Sequence, residues 1–353
     1  MPYVDLADVQ VLAPNFKRRL SGVTSTIIQL LPVQNRQGQK VAAIGPGLPG
    51  SLPLVRFRDL WKLWQMGPEH KPRVWHARRN IEMLPAILMR DVLRMKLKVV
   101  FTSASQRKHS GWTKFLISRM DTIIATSDKT ASYMDLPSTV IMHGIDTDRF
   151  CPPADKAEAK RTLGLDPNQK HVGCFGRVRK QKGTDLFVDA MIATLPQQPG
   201  WSAIIAGRAT GPHVEFENRL KEKVRAAGLA DRILFVGEHT NINEWYRTLD
   251  LFIAPQRWEG FGLTPLEAMA TAVPVIATDV GAFPELIVEH ATGATIARDD
   301  LHAMSQAATS WMSDDEKRVE ASLAARQHVA QHFTIDGEAA RLGRVYNDLM
   351  ACA

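Results

Sequence analysis

Cysteine is scarce in this chain of 353 residues: Cys151, Cys174 and Cys352 are the whole supply. Their spacing fits neither a metal site nor a disulfide framework, so reduced thiols in a cytoplasmic protein are the expectation. No uninterrupted apolar run approaches the length of a membrane span. The opening MPYVDLADVQVLAP is acidic at its start and lacks a signal-peptide pattern. There is no GxGxxG fingerprint and no Walker pattern, which weighs against a dehydrogenase or an NTPase. Internal repeats and low-complexity tracts are missing too. What is present suits an ordinary soluble globular protein: 45% hydrophobic and 23% charged residues. The length favours about two domains.

The net charge of +7 is unevenly spread. Residues 1–150 hold 22 Lys/Arg and 11 Asp/Glu, a net of +11, whereas the rest hold 22 and 26, a net of −4. A basic half suggests an anionic partner there: nucleic acid, an anionic membrane or a phosphorylated substrate.

Short β-branched runs alternate with helix-like stretches. VQVLA, KVAAI, VWHA, KVVFT and TIIAT read as buried strands in the first half, and HVGCF, SAIIAG, RILFVG, LFIAP and PVIAT in the second. Between them lie segments of helical period such as TDLFVDAMIATL. The alternation predicts an α/β protein with two Rossmann-like, doubly wound parallel sheets facing a cleft. Pro152-Pro153 marks the expected boundary, giving domains over 1–150 and 151–330. A C-terminal helix over 331–353 follows, with packing back on the first domain as one expectation. Ligands of such sheets bind beyond the carboxyl ends of the strands, so chemistry is sought in the loops that follow them.

The stretch PQRWEGFGLTPLEAMATAVPVIATDVG, residues 255–281, holds two acids eight positions apart, Glu259 and Glu267. A helix is predicted to begin at Thr264, with Thr264 as N-cap, Pro265 at the first helical position and Glu267 completing a capping box. Glu267 thus has a purely structural reading. The helix start, from Gly262 through Leu263 to Thr264, would also present free N–H groups to an anion. Glu259 has no capping role, and a carboxylate at a loop tip can accept several sugar hydroxyls. A second loop, RVRKQK, follows HVGCF and Gly176. Arg177 and Lys182 there can reach a diphosphate, against the alternative of a solvated basic loop.

Together, G-R-x4-K-G, E-G-F-G-L-x2-L-E-A-M-A and P-V-I-A-T-x-V-G resemble the family-four retaining GT-B glycosyltransferases, and HGIDTDRFCP is similar to that family's linker. The resemblance covers the C-terminal half closely and the N-terminal half loosely. WHARRNIEMLPAILMRD narrows it to the lipopolysaccharide-core mannosyltransferases of alpha-proteobacteria. It implies an acceptor-binding first domain and a nucleotide-sugar-binding second one. Glu259 would touch the donor sugar and Glu267 the ribose, while Arg177 and Lys182 would stabilise the leaving diphosphate. Gly176, Gly262, Leu263 and Thr264 complete the donor set. No cofactor and no metal are implied. The reaction expected is transfer of a hexose, mannose from GDP-mannose, to an anionic lipid-linked saccharide such as the lipopolysaccharide inner core. It would occur at the inner face of the inner membrane, with peripheral contact and no nucleic acid. A nucleotide-sugar epimerase of the same fold and a basic nucleic-acid-binding protein are the alternatives; no recognised motif supports the latter.

Several signals are weaker. The first βα loop, PNFKRRLSGVTS, keeps only Gly22 of the family's glycine pair, with Ser21 before it. The cleft histidine of many relatives is matched here by Thr102, followed by Ser103. His76 ends a strand; Arg78 and Arg79 follow it, then Asn80. Together with Lys17, Arg18, Arg19, Arg107 and Lys108 these form the acceptor candidates, each open to a structural or solvated reading. Asp146-Thr147-Asp148 matches a D-x-D metal motif superficially but lies in the linker, where a turn role is favoured. In SLPLVRFRDLWKLWQM, Leu60, Leu63 and Trp64 at helical spacing with Arg56, Arg58 and Lys62 fit either a membrane interface or a helix docked on the sheet.

Overall fold

The computed structural model describes residues 3–18 and 22–351. Arg19, Ser21 and Cys352 lie outside the described residues. The chain forms two compact units, one of residues 1–144 with 335–353 and one of residues 145–334. Each is built on a six-stranded sheet.

In the first unit the strands are β1 (Val11–Pro14), β2 (Val41–Ile44), β3 (Arg73–Ala77), β4 (Leu97–Ser103), β5 (Thr122–Ala125) and β6 (Thr139–Val140). Their order is β2-β1-β3-β4-β5-β6, and every pairing is parallel. Parallel sheets are covered on both faces, and the sequence supplies apolar side chains for both. Leu12, Trp75 and Val99 face one core, with Met83 and Leu63. Their chain neighbours Val11, Val74 and Val100 face the other, with Ile27 and Leu30 of the helix Gly22–Arg36 and Leu342 and Tyr346 of the last helix, Ile335–Ala351. The two-residue period of a strand dictates this split. Each fully buried side chain of this size contributes about 1.5–3 kcal/mol.

The second unit holds β7 (Lys170–Phe175), β8 (Trp201–Ala206), β9 (Ile233–Gly237), β10 (Leu251–Ala254), β11 (Val275–Thr278) and β12 (Gly293–Ile296). Their order is β12-β11-β10-β7-β8-β9, again parallel. Strand order therefore reverses between β7 and β10, and in the first sheet between β1 and β3. Such reversals open the crevices in which ligands of α/β sheets bind.

The chain passes between units at Gly144/Ile145 and Thr334/Ile335, not at 150/151 and 330/331. Hydrogen bonding explains the shift. Ile145 N–H donates to the Phe333 carbonyl at 2.8 Å, so the two crossing segments are tied together on the second unit's side. Phe150 is buried there against the ring of Tyr246. The last helix belongs with the first unit, where it packs on the Gly22–Arg36 helix.

The segment Phe57–Trp64 is a 3-10 helix. Leu63 docks it in the core, Leu60 packs beside that core, and Trp64 faces outward. The tighter 3-10 winding turns Trp64 away from the stripe that an α-helix would form. Among the described residues no helix is long and apolar enough to cross a membrane. Of the described cysteines, Cys174 is buried in the second unit's core, and that burial pushes its thiol up to about 12.

Candidate active site

The loops after β7 and β10 meet at the second sheet's point of reversal. After β7 the chain runs through Gly176 and Arg177 into a 3-10 turn, Lys180–Lys182, and then the helix Thr184–Thr194. Gly183 sits between turn and helix at φ +71°, where a Cβ would lie 1.8 Å from the Pro255 carbonyl oxygen. Only glycine allows this close approach of the β7 loop to the end of β10.

Arg257 fastens the two loops together. Its side chain pairs with Asp185 at 2.6 Å and with Asp299, and it donates to the Lys180 carbonyl at 2.5 Å. Its N–H bonds the Gln181 carbonyl at 3.0 Å. Nothing in its sequence position beyond a charge near the glutamate hints at this bracing role.

Glu259 and Lys182 come together across the two loops as a hydrogen-bonded ion pair, each about one-fifth exposed at 18% and 21%. The Glu259 side chain is seated against two glycines of positive φ. A Cβ on Gly262, at φ +86°, would collide with Phe283 and with the Glu259 side chain at 2.8 Å; one on Gly281, at φ +63°, would stand 3.1 Å from the Glu259 Cβ. The glycines of E-G-F-G and of the following V-G thus fix the carboxylate in place. Arg177 stays exposed and makes no ion pair or hydrogen bond among the described residues. The loop after β8 abuts this one: a Cβ on Gly207 would lie 1.9 Å from the Gly176 carbonyl oxygen, whereas Gly176 itself, at φ +136°, faces open space.

The predicted capping box does not form. The helix runs Thr264–Ala270 with Leu263 as its N-cap, so Thr264 is already helical, Pro265 is second and Glu267 lies one place beyond the box position. The Thr264 hydroxyl is buried without a partner among the described residues. Glu267 instead accepts a 2.8 Å hydrogen bond from the Tyr246 hydroxyl. Burial raises its carboxyl above the usual carboxylate range, offset by that hydrogen bond and by Arg149 and Lys182. Burial and the neighbouring Glu267 push the Tyr246 hydroxyl well above its ordinary value, so it stays a proton donor. Tyr246 is held by edge contacts with Phe175 and Phe150. The amides of Gly262 and Leu263 donate to no backbone carbonyl among the described residues.

The first unit's candidates lie at the ends of β1, β3 and β4 or in the loops after them, and those of β3, His76, Arg78 and Arg79, are already engaged. His76, buried, meets Tyr346 Oη through Nδ1 and Thr102 Oγ1 through Nε2, both at 2.6 Å. Burial, then Arg78 and His143, push its pKa well below the ordinary histidine value. This is the arrangement of a structural strand-end histidine, and Thr102 fills a structural place beside it. Arg79 pairs with the fully buried Glu82 at 2.8 Å and donates to Asn15 at 3.0 Å. Asn80 donates to Thr113 at 2.7 Å. Arg78 lines a small cavity with Thr26, His143 and Glu338. Lys17, Arg18, Arg107 and Lys108 are exposed. Gly22 opens its helix, and a Cβ there would meet nothing within 4 Å, so no contact among the described residues demands glycine. Asp146 accepts from the N–H groups of Asp148 and Arg149 at 3.1 and 3.0 Å, a side-chain turn.

Residues 155–328 match the family described as glycosyl transferases group 1. The chain is 67% identical over 350 residues to the lipopolysaccharide core biosynthesis mannosyltransferase LpsB of Rhizobium meliloti, covering 98% of this chain and 99% of that one. It is 52% identical to the lipopolysaccharide core biosynthesis mannosyltransferase LpcC of Rhizobium leguminosarum bv. viciae, covering 98% of each. A crystal structure of a glycosyltransferase from Rickettsia africae superposes with a TM-score of 0.83 at 17% identity, over 98% of this chain and 100% of that one. With two parallel doubly wound sheets and these relatives along nearly its whole length, the chain belongs to the group 1 glycosyl transferases and has the GT-B fold.

Proposed function

We propose that this glycosyltransferase moves mannose from GDP-mannose to an anionic lipid-linked saccharide of the lipopolysaccharide inner core, with retention and without a metal. The observation that carries the reading is the Lys182–Glu259 pair held at the reversal between β7 and β10, together with the two full-length relatives. When the donor enters, Lys182 and the free Arg177 turn to its diphosphate, and Glu259 turns to hydroxyls of the sugar. Glu267, set by Tyr246, takes the ribose hydroxyls. The bond from the anomeric carbon to the phosphate oxygen breaks, and the acceptor oxygen bonds the same face. The acceptor's proton passes to the departing phosphate oxygen. Arg177 and Lys182 stabilise the charge that gathers on the diphosphate, which is where fixed cations lower a barrier. The exposed Lys17, Arg18, Arg107 and Lys108, with Arg78, suit an acceptor bearing phosphates and acidic sugars. Such an acceptor places the enzyme peripherally at the inner face of the inner membrane.

The test is transfer from labelled GDP-mannose to a phosphorylated lipid-linked core acceptor, compared with UDP-glucose and with acceptor omitted. Mannosyl product that requires the acceptor is expected. Conversion of the nucleotide sugar without acceptor would favour the epimerase, and preference for another donor would overturn the mannosyl assignment.

A further inference from the structure

The first unit carries an apolar face that its own fold leaves uncovered. The helix Asn80–Ile87 runs on into a π-helical turn, Leu88–Val92. Its inner side, Met83, Ala86, Ile87 and Met89, is buried in the core. Its outer side is apolar as well: Ile81, Leu84, Leu88 and Val92 are 45%, 38%, 48% and 65% exposed. An ordinary surface helix is polar on that side. The helix Gly111–Ile117 packs alongside, joined by the Asn80–Thr113 hydrogen bond at 2.7 Å. It adds Trp112 and Phe115, stacked 5.7 Å apart and each 53% exposed. At the other end the Trp64 indole N–H donates to the Leu93 carbonyl at 2.6 Å, which extends the face to a further exposed aromatic. Contiguous exposed apolar surface of this kind marks an interaction site.

Charge identifies what covers it. Residues 78–119 hold ten Lys/Arg and two Asp/Glu. Both acids are spent internally. Glu82 is buried against Arg79, and Asp91 takes Arg90 at 2.7 Å and Arg119 at 2.6 Å. Arg94, Lys96, Arg107 and Lys108 are exposed around the apolar stripe. Aromatic and aliphatic side chains ringed by basic ones match the boundary between anionic headgroups and acyl chains. A second copy of this chain would bring the same positive rim against itself. The helix Asn80–Ile87 starts just beyond Arg78 at the end of β3, so a bilayer on this face lies beside the loops assigned to the acceptor.

We infer that this face docks on an anionic lipid bilayer, with Leu84, Leu88, Trp112 and Phe115 entering the headgroup–acyl boundary. The inference deepens the lipid-linked-acceptor reading and rests on it for its purpose, but its test requires no transfer. Full-length protein is sedimented with phosphatidylglycerol–phosphatidylethanolamine vesicles and with phosphatidylcholine vesicles, at low and high salt, without donor or acceptor. Wild type should pellet with the anionic vesicles at low salt and less at high salt, because screening shortens the attraction. The combined variant Leu84→Ser, Leu88→Ser, Trp112→Ser and Phe115→Ser should lose at least about tenfold in vesicle affinity, about 1.4 kcal/mol. Its thermal transition and its binding of GDP serve as the folding control. Arg94→Glu with Lys96→Glu should weaken capture and remove part of its salt dependence. Equal capture of the folded serine variant, or no capture of wild type at low salt, overturns the assignment. So does a wild-type dimer in sedimentation equilibrium that the serine variant abolishes, which would make the face a self-association surface. Transfer to a deacylated, water-soluble acceptor, measured separately, reports on the catalytic reading alone.

Discussion

Both units reverse strand order once, and both place charged loops at the reversal, yet they use the charges differently. At the second sheet's reversal Arg177 has no partner among the described residues, and Lys182 pairs with Glu259, whose other oxygen accepts only from the adjacent Gly260 N–H at 3.2 Å. At the first sheet's reversal Arg79, Glu82, Asn15 and His76 are joined in hydrogen bonds that the fold itself requires. A charged side chain serves a ligand when the fold has not already engaged it. The same strand order therefore carries a partly exposed ion pair beside an arginine unpaired among the described residues in one unit and a braced scaffold, with exposed Lys17, Arg18, Arg107 and Lys108 at its rim, in the other.

The largest effects should come from the poised pair. Lys182→Ala and Glu259→Gln should each lower kcat/KM for transfer by about 10²- to 10³-fold, as the loss of one transition-state charge contact does. Because the pair is partly exposed, neither should cost more than about 1 kcal/mol of stability. Steady-state kinetics beside denaturant melts check both. A large stability loss with intact kinetics would put this pair in the scaffold class and erase the contrast.

In the braced unit the expectation is reversed. Glu338 accepts from His143 and from the Gly144 N–H, each at 2.8 Å. Glu338→Ala should destabilise by about 1–3 kcal/mol, since buried donors lose their acceptor. Its kcat on the folded fraction should stay near wild type. Urea unfolding monitored with activity separates the two.

Glu267 stands between the classes. Its carboxyl pKa is raised chiefly by burial, so donor affinity should fall as acidification reaches a pH above the ordinary carboxylate range. The folded state favours the protonated form. Glu267 therefore subtracts stability as pH rises from the unfolded-state pKa through the folded one, and adds none at neutral pH. Glu267→Gln should remove this acidic limb while weakening donor binding. Tyr246→Phe should raise the Glu267 pKa further, since its hydrogen bond lowers it, and move the limb to higher pH, at a cost of about 1 kcal/mol. Donor KM against pH for the three proteins is the measurement. The smallest effect expected is that of a chelator: EDTA should leave turnover unchanged, since Asp146 is engaged in its own turn.

Ten strands are legible in the sequence because their apolar β-branched runs are long enough to show. Two of the four edge strands, β6 and β12, are not. β6 is two residues, one of them exposed, and β12 opens on Gly293, where a Cβ would lie 1.8 Å from the Val275 carbonyl oxygen. That glycine reads as a loop until the neighbouring strand is in place. Glu259, Lys182 and Arg177 are legible because glycines space them. The capping box fails because the helix starts one residue earlier than the Thr-Pro pair suggests. Tyr246 and Arg257 are silent in the sequence: their partners, Glu267 and Asp185, lie 21 and 72 positions away, and no local pattern announces such pairs. His76 and Tyr346 are 270 positions apart, joined only because the last helix returns to the first unit.

On the proposed reading, the loops after β7 and β10 hold the donor's diphosphate. Calorimetric titration of GDP and of guanosine into wild type and Lys182→Ala tests it most directly. The wild type should bind GDP far more tightly than guanosine, and at ~100 times its Kd the nucleotide should stabilise the protein by about 2.7 kcal/mol. Lys182→Ala should lose most of the margin between GDP and guanosine while leaving guanosine binding nearly unchanged. An unchanged margin in the variant, or no binding of GDP by wild type, would contradict the account.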